Sequence, residues 1–432
     1  MKISVCENRK ISCNANQRKE LKAFEDARCT KLKKSRIFSW RHNEVWARNY
    51  VGVIQVPGLT LEILPKIDKG KHDADEQEKL LAQHNLLYML SFTRKLPFEE
   101  RDLAALRLQK MSLLEVLIRI FVNRLLEELR RGVDHAYVNR EENLPRVKGK
   151  ILMNRHLLLN AAHRERFYVG FDEFLDDTPL NRILKATSRR LISVSTDTET
   201  QRLLMETTAI FDEVCDIFPD EHHFDRVHLH RNNERFQALL DFCRIVWQEQ
   251  SPNPSAGDSH TFSILFPMEQ LFEEFIARFI RRYAEEFGLK RENIRIQSVG
   301  CVEYLLREHE SQSRKFKLQP DLLVTDGKAT ALILDTKWKC LKSDDEDSKN
   351  GVPQADMYQM YAYANRYNCN EVILLYPDTG DVTPKSYRLL GDEGKRIRVK
   401  VIALSRDLSS QAGRIAFKTD LIRIVNAKEK AP

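Results

Sequence analysis

Two aspartates and a lysine near position 330 have the types and spacing of a divalent-cation site. Asp321 precedes the apolar residues 322–324, and Asp335 and Lys337 follow the apolar residues 331–334. An Asp-Gly pair between these runs is a strong turn signal and predicts two strands joined as a hairpin. Residues 335 and 337 lie two apart, so they face the same side of a strand. The hairpin would bring two carboxylates and one ammonium group to one end of a sheet, which predicts a magnesium site with a lysine beside it.

Such a set of groups suits the hydrolysis of a phosphodiester bond, in which a hard cation polarises the phosphate and activates water. Mg²⁺ takes oxygen ligands and keeps several waters, so Asp321, Asp335 and the backbone carbonyl of Thr336 would suffice as protein ligands. We expect Mn²⁺ to substitute for Mg²⁺. Lys337 would orient the attacking water or help to deprotonate it, and would stabilise developing negative charge. The structural alternative is a pair of strand-end aspartates whose lysine forms a surface ion pair.

The elements around the hairpin resemble those of a known group of nucleases. The proline before Asp321, with Asp335 and Lys337, matches the signature PD-(D/E)XK. The order helix, strands, helix, strand predicts an α/β core with a mixed sheet. Gln359 and Tyr363 lie four residues apart on one face of a predicted helix and resemble the QxxxY motif of RecB-like nucleases. The resemblance implies a catalytic set that includes all five of these residues.

In nucleases of this kind a glutamate from the first helix often joins the site. The corresponding segment here runs from Pro267 to Tyr283, and its apolar residues recur at helical spacing. Glu273 is the first choice for this role, and Glu269 and Glu274 are its competitors.

Composition sets limits on the class of protein. The chain has 432 residues, a 42% apolar share and a net charge of +7, which are typical of a soluble globular protein of two or three domains. The charge permits nucleic-acid binding without demonstrating it. We expect no membrane span and a cytoplasmic location, because no long apolar run or secretory leader occurs. The eight cysteines are scattered without a CxxC pair and are expected to be reduced.

Three domains are predicted from the patterning. Residues 1–75 carry β-branched and aromatic runs and predict a β-rich domain. Residues 76–255 are mainly helical, and a turn-rich linker at 251–258 ends this region. Residues 256–432 would form the PD-(D/E)XK domain. The predicted class is therefore multidomain α+β, with a β-rich N-terminal domain, a helical middle and a C-terminal restriction-endonuclease-like α/β domain.

Two polar clusters in the middle region leave alternatives open. Four histidines, His222, His223, His228 and His230, match no standard zinc spacing, which favours a polar linker or helix edge over a metal site. A set of basic side chains could form a nucleic-acid or partner surface, although a solvated face is favoured; its members are Arg140, Arg146, Lys148, Lys150, Arg155, Arg164 and Arg166.

Three segments spread over the chain resemble the McrC family, the nuclease subunit of McrBC modification-dependent restriction systems. They are residues 50–67, 171–185 and 356–363. The resemblance implies a magnesium-dependent endonuclease that cuts double-stranded DNA carrying methylated cytosine. It also implies that the N-terminal region binds and stimulates an McrB-like AAA+ GTPase hexamer, which could bring two copies of this chain together. The sequence contains no GxxxxGK[ST] loop, so nucleotide hydrolysis would come from that partner.

Two other functions remain open from the sequence. The chain could act chiefly as an activator and assembly protein for an AAA+ motor. It could also be an autonomous RecB-like repair nuclease, which would cut unmodified DNA without a partner or nucleotide.

Overall fold

The structure, a computed structural model, describes the chain apart from residues 32, 34, 43, 67–74, 94–110, 249–260, 298, 328, 340, 342–348, 379–382 and 428–432. The described residues form two compact units. The first unit contains the described parts of 1–94, 111–113 and 251–432, and the second contains those of 114–250. Both units mix helices and strands, which confirms the α+β, multidomain class.

The helices and strands of the described residues are numbered in chain order. The helices are α1 (Ala15–Lys31), α2 (Glu76–Phe92), α3 (Leu113–Leu129), α4 (Met153–Leu159), α5 (Pro179–Val194), α6 (Thr198–Ile210), α7 (Glu221–Asp225), α8 (Gln237–Gln248), α9 (Met268–Arg282), α10 (Gln354–Arg366) and α11 (Gln411–Asn426). The strands are β1 (Lys2–Cys6), β2 (Lys10–Ile11), β3 (Phe38–Arg41), β4 (Glu44–Ala47), β5 (Tyr50–Val56), β6 (Leu59–Leu64), β7 (Ala136–Leu144), β8 (Lys150–Ile151), β9 (Phe167–Leu175), β10 (Phe262–Pro267), β11 (Ile294–Ile296), β12 (Glu303–Arg307), β13 (Arg314–Leu318), β14 (Leu322–Asp326), β15 (Ala329–Thr336), β16 (Glu371–Pro377), β17 (Lys385–Leu389) and β18 (Asp392–Ile402).

The first sheet of the first unit joins distant parts of the chain. Its strand order is β1-β6-β5-β10, and β10 pairs antiparallel with β5 so that Ile264 faces Val53. Gly52 permits this pairing: a Cβ built on it would lie 2.0 Å from the carbonyl oxygen of Ile264, and its φ of +132° disfavours other residues. Leu265 of β10 is buried in the same hydrophobic core as Ile54 of β5.

This pairing corrects the predicted domain boundaries. Residues 1–75 and 256–432 were expected to form separate domains, but the structure places their described residues in one unit. The physical reason is that β10 completes the N-terminal sheet with main-chain hydrogen bonds and apolar side chains. Helix α2, assigned to the middle region by the sequence, also packs on α9 in this unit. Local patterning carries no signal for pairings between segments so far apart.

A six-stranded mixed sheet supports the residues predicted to be functional. Its order is β11-β14-β15-β16-β18-β17. Strands β14 and β15 are antiparallel, whereas β15, β16 and β18 run parallel to one another. The predicted hairpin and mixed sheet are therefore confirmed. Helix α10 packs on the sheet through Met360, Tyr363 and Ala364, which share a core with Ile333 of β15 and Leu374 of β16.

The second unit combines helices with a three-stranded sheet in the order β7-β9-β8. Helix α5 begins after Thr178, whose hydroxyl accepts a hydrogen bond from the backbone N–H of Asn181, and Pro179 occupies its first turn. Strands β7 and β9 each span nine residues and pair antiparallel with each other, and the short strand β8 pairs with the other edge of β9. Across the described residues of both units, no helix has the length and apolar character needed to cross a membrane.

Candidate functional site

Asp321 lies just before β14 and is held against the end of β15. Its Oδ2 accepts hydrogen bonds from the backbone N–H of Thr336, at 2.6 Å, and from the Thr336 hydroxyl, at 2.7 Å. Burial raises the pKa of Asp321 well above its ordinary value, and the negative charges of Asp335 and Glu273 raise it further. The hairpin therefore brings the two predicted aspartates within electrostatic reach of each other, as the spacing indicates.

Asp335 lies on β15 and is almost completely buried, with 1% of its surface exposed. Its Oδ2 lies 2.5 Å from Nζ of Lys337, whereas Oδ1 has no hydrogen-bond partner among the described residues. Burial raises its pKa to about 6, against the opposing effect of Lys337. A buried carboxylate oxygen without a partner is costly, and a bound cation would remove that cost.

Lys337 is fixed by the sheet as well as by its ion pair. Its backbone N–H donates to the carbonyl of Leu375 at 2.9 Å, which continues the parallel pairing of β15 with β16 past Thr336. Burial alone would lower the pKa of Lys337, but its contact with Asp335 and the charge of Asp321 outweigh burial and raise it. The ammonium group therefore stays charged at neutral pH.

The three candidate glutamates of α9 have different surroundings. The charge of Glu273 raises the pKa of both Asp321 and Asp335, after the larger effect of burial, so Glu273 faces the aspartates. Glu274 instead accepts from Arg278 at 2.8 Å. Glu269 lies close enough to Glu7 for its charge to raise the pKa of that residue. The geometry thus places the first choice, Glu273, at the cluster.

Gln297 joins Glu273 to Asp321 and was not predicted from the sequence. Its backbone N–H donates to the carbonyl of Asp321 at 2.8 Å, and its side-chain amide donates to Glu273 at 3.0 Å. Gln297 has a φ of +51°, a conformation that few residues other than glycine adopt. Nothing in the local sequence signals this role, because it depends on a backbone angle and on two distant segments.

Gln359 and Tyr363 form the predicted pair on α10. The side-chain amide of Gln359 donates to the hydroxyl of Tyr363 at 2.7 Å. Tyr363 is buried, which raises its pKa, and the charge of Asp335 adds to this effect. The phenol therefore stays protonated close to the aspartates, where it can hold a hydrogen bond rather than act as a base.

A third buried acid lies beside the cluster. Both carboxylate oxygens of Asp356 accept from Nζ of Lys339, at 2.8 and 2.9 Å, and the hydroxyl of Tyr376 donates to the same carboxylate at 2.8 Å. The charge of Asp356 contributes to the raised pKa of Asp335. Lys339 follows Lys337 by two residues, and this spacing is the sequence signal that could have placed Lys339 near the site.

Trp338 ties the segment after β15 to the first sheet. It is buried and packs against the Phe272 ring, with the ring centroids 5.1 Å apart. Its indole N–H donates to Oε1 of Glu7 at 2.6 Å, and the backbone N–H of Lys66 donates to the same oxygen at 3.2 Å. Burial raises the pKa of Glu7 to about 8.

The donor set of the cluster suits a cation that retains water. Among the described residues no three histidine, cysteine or carboxylate side chains are grouped to hold a metal ion. Asp321 and Asp335 thus remain the side-chain donors, with the carbonyl of Thr336 as a third. The N–H and C=O of a residue in a strand point to the same side, so this carbonyl lies on the side of Asp321. Mg²⁺ fits such a set, because it commonly binds one or two carboxylates and several waters.

The two clusters of the middle region behave as polar surface. His222 and His223 lie on the short helix α7, and the backbone N–H of His223 donates to Asp220, as expected for a helix edge. Arg140 and Lys148 both contact Glu173, at 2.9 and 3.4 Å. These ion pairs favour the interpretation of a solvated face.

The sequence is similar to known proteins over much of its length. A family model described as "McrBC 5-methylcytosine restriction system component" matches residues 45–377. The Type IV methyl-directed restriction enzyme EcoKMcrBC of Escherichia coli strain K12 is 21% identical over 212 residues, which cover 48% of this chain and 60% of that protein. The chain thus spans less than two thirds of the length of this curated relative.

One chain in each of two solved assemblies has a fold similar to that of this protein. The first is a half-complex of Thermococcus gammatolerans McrB AAA+ hexamers with bound McrC, in which the matching chain has a TM-score of 0.71, 22% identity and 99% coverage of both chains. The second is the cryo-EM structure of the Thermococcus gammatolerans McrBC complex, with a TM-score of 0.53, 25% identity and coverage of 66% of this chain and 88% of that chain.

Proposed function

The chain belongs to the family of McrBC 5-methylcytosine restriction system components, and from this premise we propose that it is the magnesium-dependent DNA endonuclease subunit of such a system, acting in the cytoplasm. The observation that carries the proposal is the convergence of Asp321, Asp335 and Lys337 at one end of the β14–β15 hairpin, with Glu273 facing them. We also assign the mixed sheet with α9 and α10 to the PD-(D/E)XK type.

In this proposal Asp321, Asp335 and the Thr336 carbonyl hold the metal. When bound, Mg²⁺ would polarise a phosphate and activate water. Thr336 fixes the orientation of the Asp321 carboxylate through two hydrogen bonds, so one of its oxygens is held and the other is available to a ligand. The partnerless Oδ1 of Asp335 is a second such oxygen. Mn²⁺ would be accommodated by the same donors.

Lys337 acts as a cation rather than as a base. Its raised pKa keeps the ammonium charged at neutral pH, so it can orient a water molecule and stabilise negative charge on the phosphate. Among the described residues no Lys or Arg forms an ion pair with Glu273, whose carboxylate accepts a hydrogen bond from the side-chain amide of Gln297. The Glu273 carboxylate can therefore accept a hydrogen bond from water or from a metal-bound group. Gln359 and Tyr363 support the site from α10.

The decisive experiment measures cleavage of a methylated DNA duplex by the full chain with an McrB-like GTPase, GTP and Mg²⁺. Asp335→Asn and Lys337→Ala should each lower the cleavage rate by about a hundredfold or more, because the first removes the charge of a proposed metal ligand and the second removes a cation that stabilises negative charge on the phosphate. Asp326→Asn is the matched control, since Asp326 is exposed next to the turn of the same β14–β15 hairpin. Cleavage at the unaltered rate by both site variants would refute the proposal.

Metal binding has a separate readout. Mg²⁺ should raise the thermal unfolding temperature of the unaltered chain and leave that of Asp335→Asn nearly unchanged, because a ligand stabilises only the state that binds it. Equal shifts in the two proteins would place the metal elsewhere.

The proposed partner is an McrB-like AAA+ GTPase hexamer that recognises methylated DNA. Support comes from the similarity to a chain in the Thermococcus gammatolerans half-complex of McrB hexamers with bound McrC. The second unit also exposes a set of large apolar side chains on β7, β9 and α4, which is unusual for a surface without a partner. Its members are Tyr137, Val138, Met153, Leu157, Leu158, Leu159 and Phe174.

This apolar surface favours a second function, the activation of the partner. Both functions can reside in one chain, because the proposed site and the apolar surface belong to different units. A chain carrying Asp335→Asn that still stimulates GTP hydrolysis would show that the two functions are separable. Loss of stimulation in that variant would indicate that the site residues serve the activation instead.

A further inference from the structure

A two-stranded ribbon leads directly into Asp321. Strands β12 and β13 pair antiparallel, with Glu303 opposite Leu318 at the base and Arg307 opposite Arg314 near the tip. Only Gln319 and Pro320 separate the end of β13 from Asp321. The order of strands in the mixed sheet does not include either strand, so the ribbon is a separate sheet.

The base of the ribbon is fixed to the helix that carries Gln359 and Tyr363. The hydroxyl of Tyr367, which follows α10, accepts from the backbone N–H of Glu303 at 3.3 Å and donates to the carbonyl of Leu318 at 3.0 Å. The carboxylate of Glu303 also pairs with Arg366 at 2.7 Å. One tyrosine thus joins both strands, and the ribbon has a defined direction relative to the candidate site.

The outer part of the ribbon exposes side chains that are usually buried. Leu305, Leu306 and Phe316 are 43%, 55% and 68% exposed. Apolar side chains that face water add little to the stability of a two-stranded ribbon. Three of them on one short ribbon therefore favour a binding surface.

Phe316 has an unfavourable backbone conformation as well. Its φ of +57° lies in the left-handed region, where a bulky residue is a genuine outlier and glycine is preferred. The side chain is exposed, so packing inside the protein does not account for a phenylalanine at this position. Such local strain is typical of positions at which the side chain serves a ligand.

The ribbon also carries exposed cations. Arg307, Arg314, Lys315 and Lys317 are all exposed. Lys315 lies 3.7 Å from Glu308, and the Arg314 guanidinium lies 6.0 Å from the Tyr304 ring centroid. For Arg307 and Lys317, no ion pair with another described residue is found. Their charges are therefore available to an external anion.

From these features we propose that the ribbon is a DNA-binding arm that grips duplex DNA beside the candidate site. The proposal rests on the nuclease function proposed above. A two-stranded ribbon fits the major groove, which is about 12 Å wide. Lys317 precedes Asp321 by four residues, so their Cα atoms lie at most about 14 Å apart, the length of roughly four base-pair steps. Arg307 and Lys317 contact phosphates, and Phe316 contacts base edges or sugars.

The test measures the affinity of the full chain for a labelled DNA duplex by fluorescence anisotropy, without Mg²⁺ and at several salt concentrations. The double variant Arg307→Ala, Lys317→Ala should bind about tenfold more weakly, and its salt dependence should fall by about two ion equivalents. The matched control is Lys385→Ala, Arg388→Ala, because these exposed cations lie on β17 at the far edge of the mixed sheet. The control should bind like the unaltered chain.

Phe316 provides a test that separates binding from folding. Phe316→Gly should keep or raise the unfolding temperature, since glycine suits the left-handed backbone, yet it should weaken DNA binding severalfold. A structural role for Phe316 predicts the opposite effect on unfolding temperature, and such a result would count against the proposal.

The remaining outcomes are distinguishable. Unchanged affinity and salt dependence in the ribbon variants would overturn the arm, as would a failure of the unaltered chain to bind duplex DNA. Loss of partner-stimulated GTP hydrolysis with normal DNA binding would also overturn it and would make the ribbon a protein-docking element. If the ribbon variants lose DNA binding but the unaltered chain, with partner, GTP and Mg²⁺, cuts no DNA, the arm stands and the nuclease proposal fails.

Discussion

At the scale of single residues, the carboxylate of Asp335 is held in an environment that opposes its charge. Burial raises its pKa to about 6, from an ordinary value of 3.8. A raised pKa means that the folded chain binds the proton more tightly than the unfolded chain. The associated stability is fully present below pH 3.8 and is lost as the pH rises through about 6. The loss at neutral pH is on the order of 3 kcal/mol.

Asp335→Asn should therefore stabilise the metal-free chain at pH 7 while it removes cleavage. The amide has no charge to bury, so the unfolding temperature of the variant should exceed that of the unaltered chain at pH 7, and the difference should shrink towards pH 4. Thermal unfolding in the presence of EDTA at both pH values measures this. If the difference in unfolding temperature between the two proteins does not change with pH, the charge of Asp335 does not destabilise the folded chain.

At the scale of elements, Glu7 and Trp338 connect the end of β1 to the segment that carries Lys337 and Lys339. Both N–H donors, from Trp338 and Lys66, use the same oxygen of Glu7, and the other oxygen is buried without a hydrogen-bond partner among the described residues. Burial is the main cause of its pKa of about 8. The contribution of the neutral carboxyl is present below pH 4.5 and is lost as the pH rises through about 8.

Glu7→Gln should make the stability of the chain less dependent on pH. The amide oxygen can accept the same two hydrogen bonds and does not ionise, so the variant should be more stable than the unaltered chain at pH 9 and similar to it at pH 4. Glu7→Ala, which removes the acceptor, should be less stable at both. Parallel profiles for the unaltered chain and Glu7→Gln between these pH values would contradict the expectation.

The close contact between β5 and β10 gives a second prediction at this scale. Gly52→Ala should destabilise the chain by about 3 kcal/mol or more, because the added methyl group would lie 2.0 Å from the Ile264 carbonyl oxygen, a backbone atom. Gly58→Ala is the control, since Gly58 also has a positive φ but no atom lies within 4 Å of the position that its methyl group would take, and it should cost about 1 kcal/mol. Equal unfolding temperatures for the two variants would contradict the pairing.

The sequence predicts those features that depend on neighbours along the chain. The hairpin that carries Asp321, Asp335 and Lys337 is local, so apolar runs and a turn signal suffice to identify it. The Gln359–Tyr363 pair is identified by its resemblance to the QxxxY motif, and helical spacing places both residues on one face. The choice among the three α9 glutamates needs the rotation of the helix against the sheet, which the structure supplies.

Other residues at the site could not be found in this way. Gln297 and Glu7 contact the site segments from parts of the chain that are distant in sequence, and Asp356 lies on the predicted helix but is of a type common on protein surfaces. Likewise, the domain boundaries were misplaced because β10 pairs with β5 across most of the helical region. These features depend on tertiary packing, which no local periodicity encodes.

At the scale of the whole molecule, the proposed chemistry and the proposed partner surface lie in different units. The second unit carries the exposed apolar side chains of β7, β9 and α4, whereas the first carries the aspartates. A fragment of residues 251–432 would lack β5, the strand with which β10 pairs, so truncation is a poor way to separate the functions. Substitutions on each unit are the better approach.

Leu158→Asp should reduce stimulation of the partner GTPase by about tenfold or more without lowering the unfolding temperature, because Leu158 is 80% exposed and a charge there opposes an apolar contact. Leu390→Asp is the matched control, since Leu390 is 98% exposed on the first unit. GTP hydrolysis with increasing amounts of each variant measures the effect. Equal stimulation by both variants would exclude Leu158 from the partner surface.

The pairing of β10 with β5 has a consequence for the synthesis of the protein. The first sheet cannot be completed until β10 has left the ribosome, roughly 200 residues after β5, which takes about 10–40 s at ordinary rates of translation. The second unit is encoded between the two halves of the first and can fold during this delay. The aspartates are encoded later still, and Gln359 and Tyr363 of α10 after them, so an incomplete nascent chain would not carry the complete candidate site.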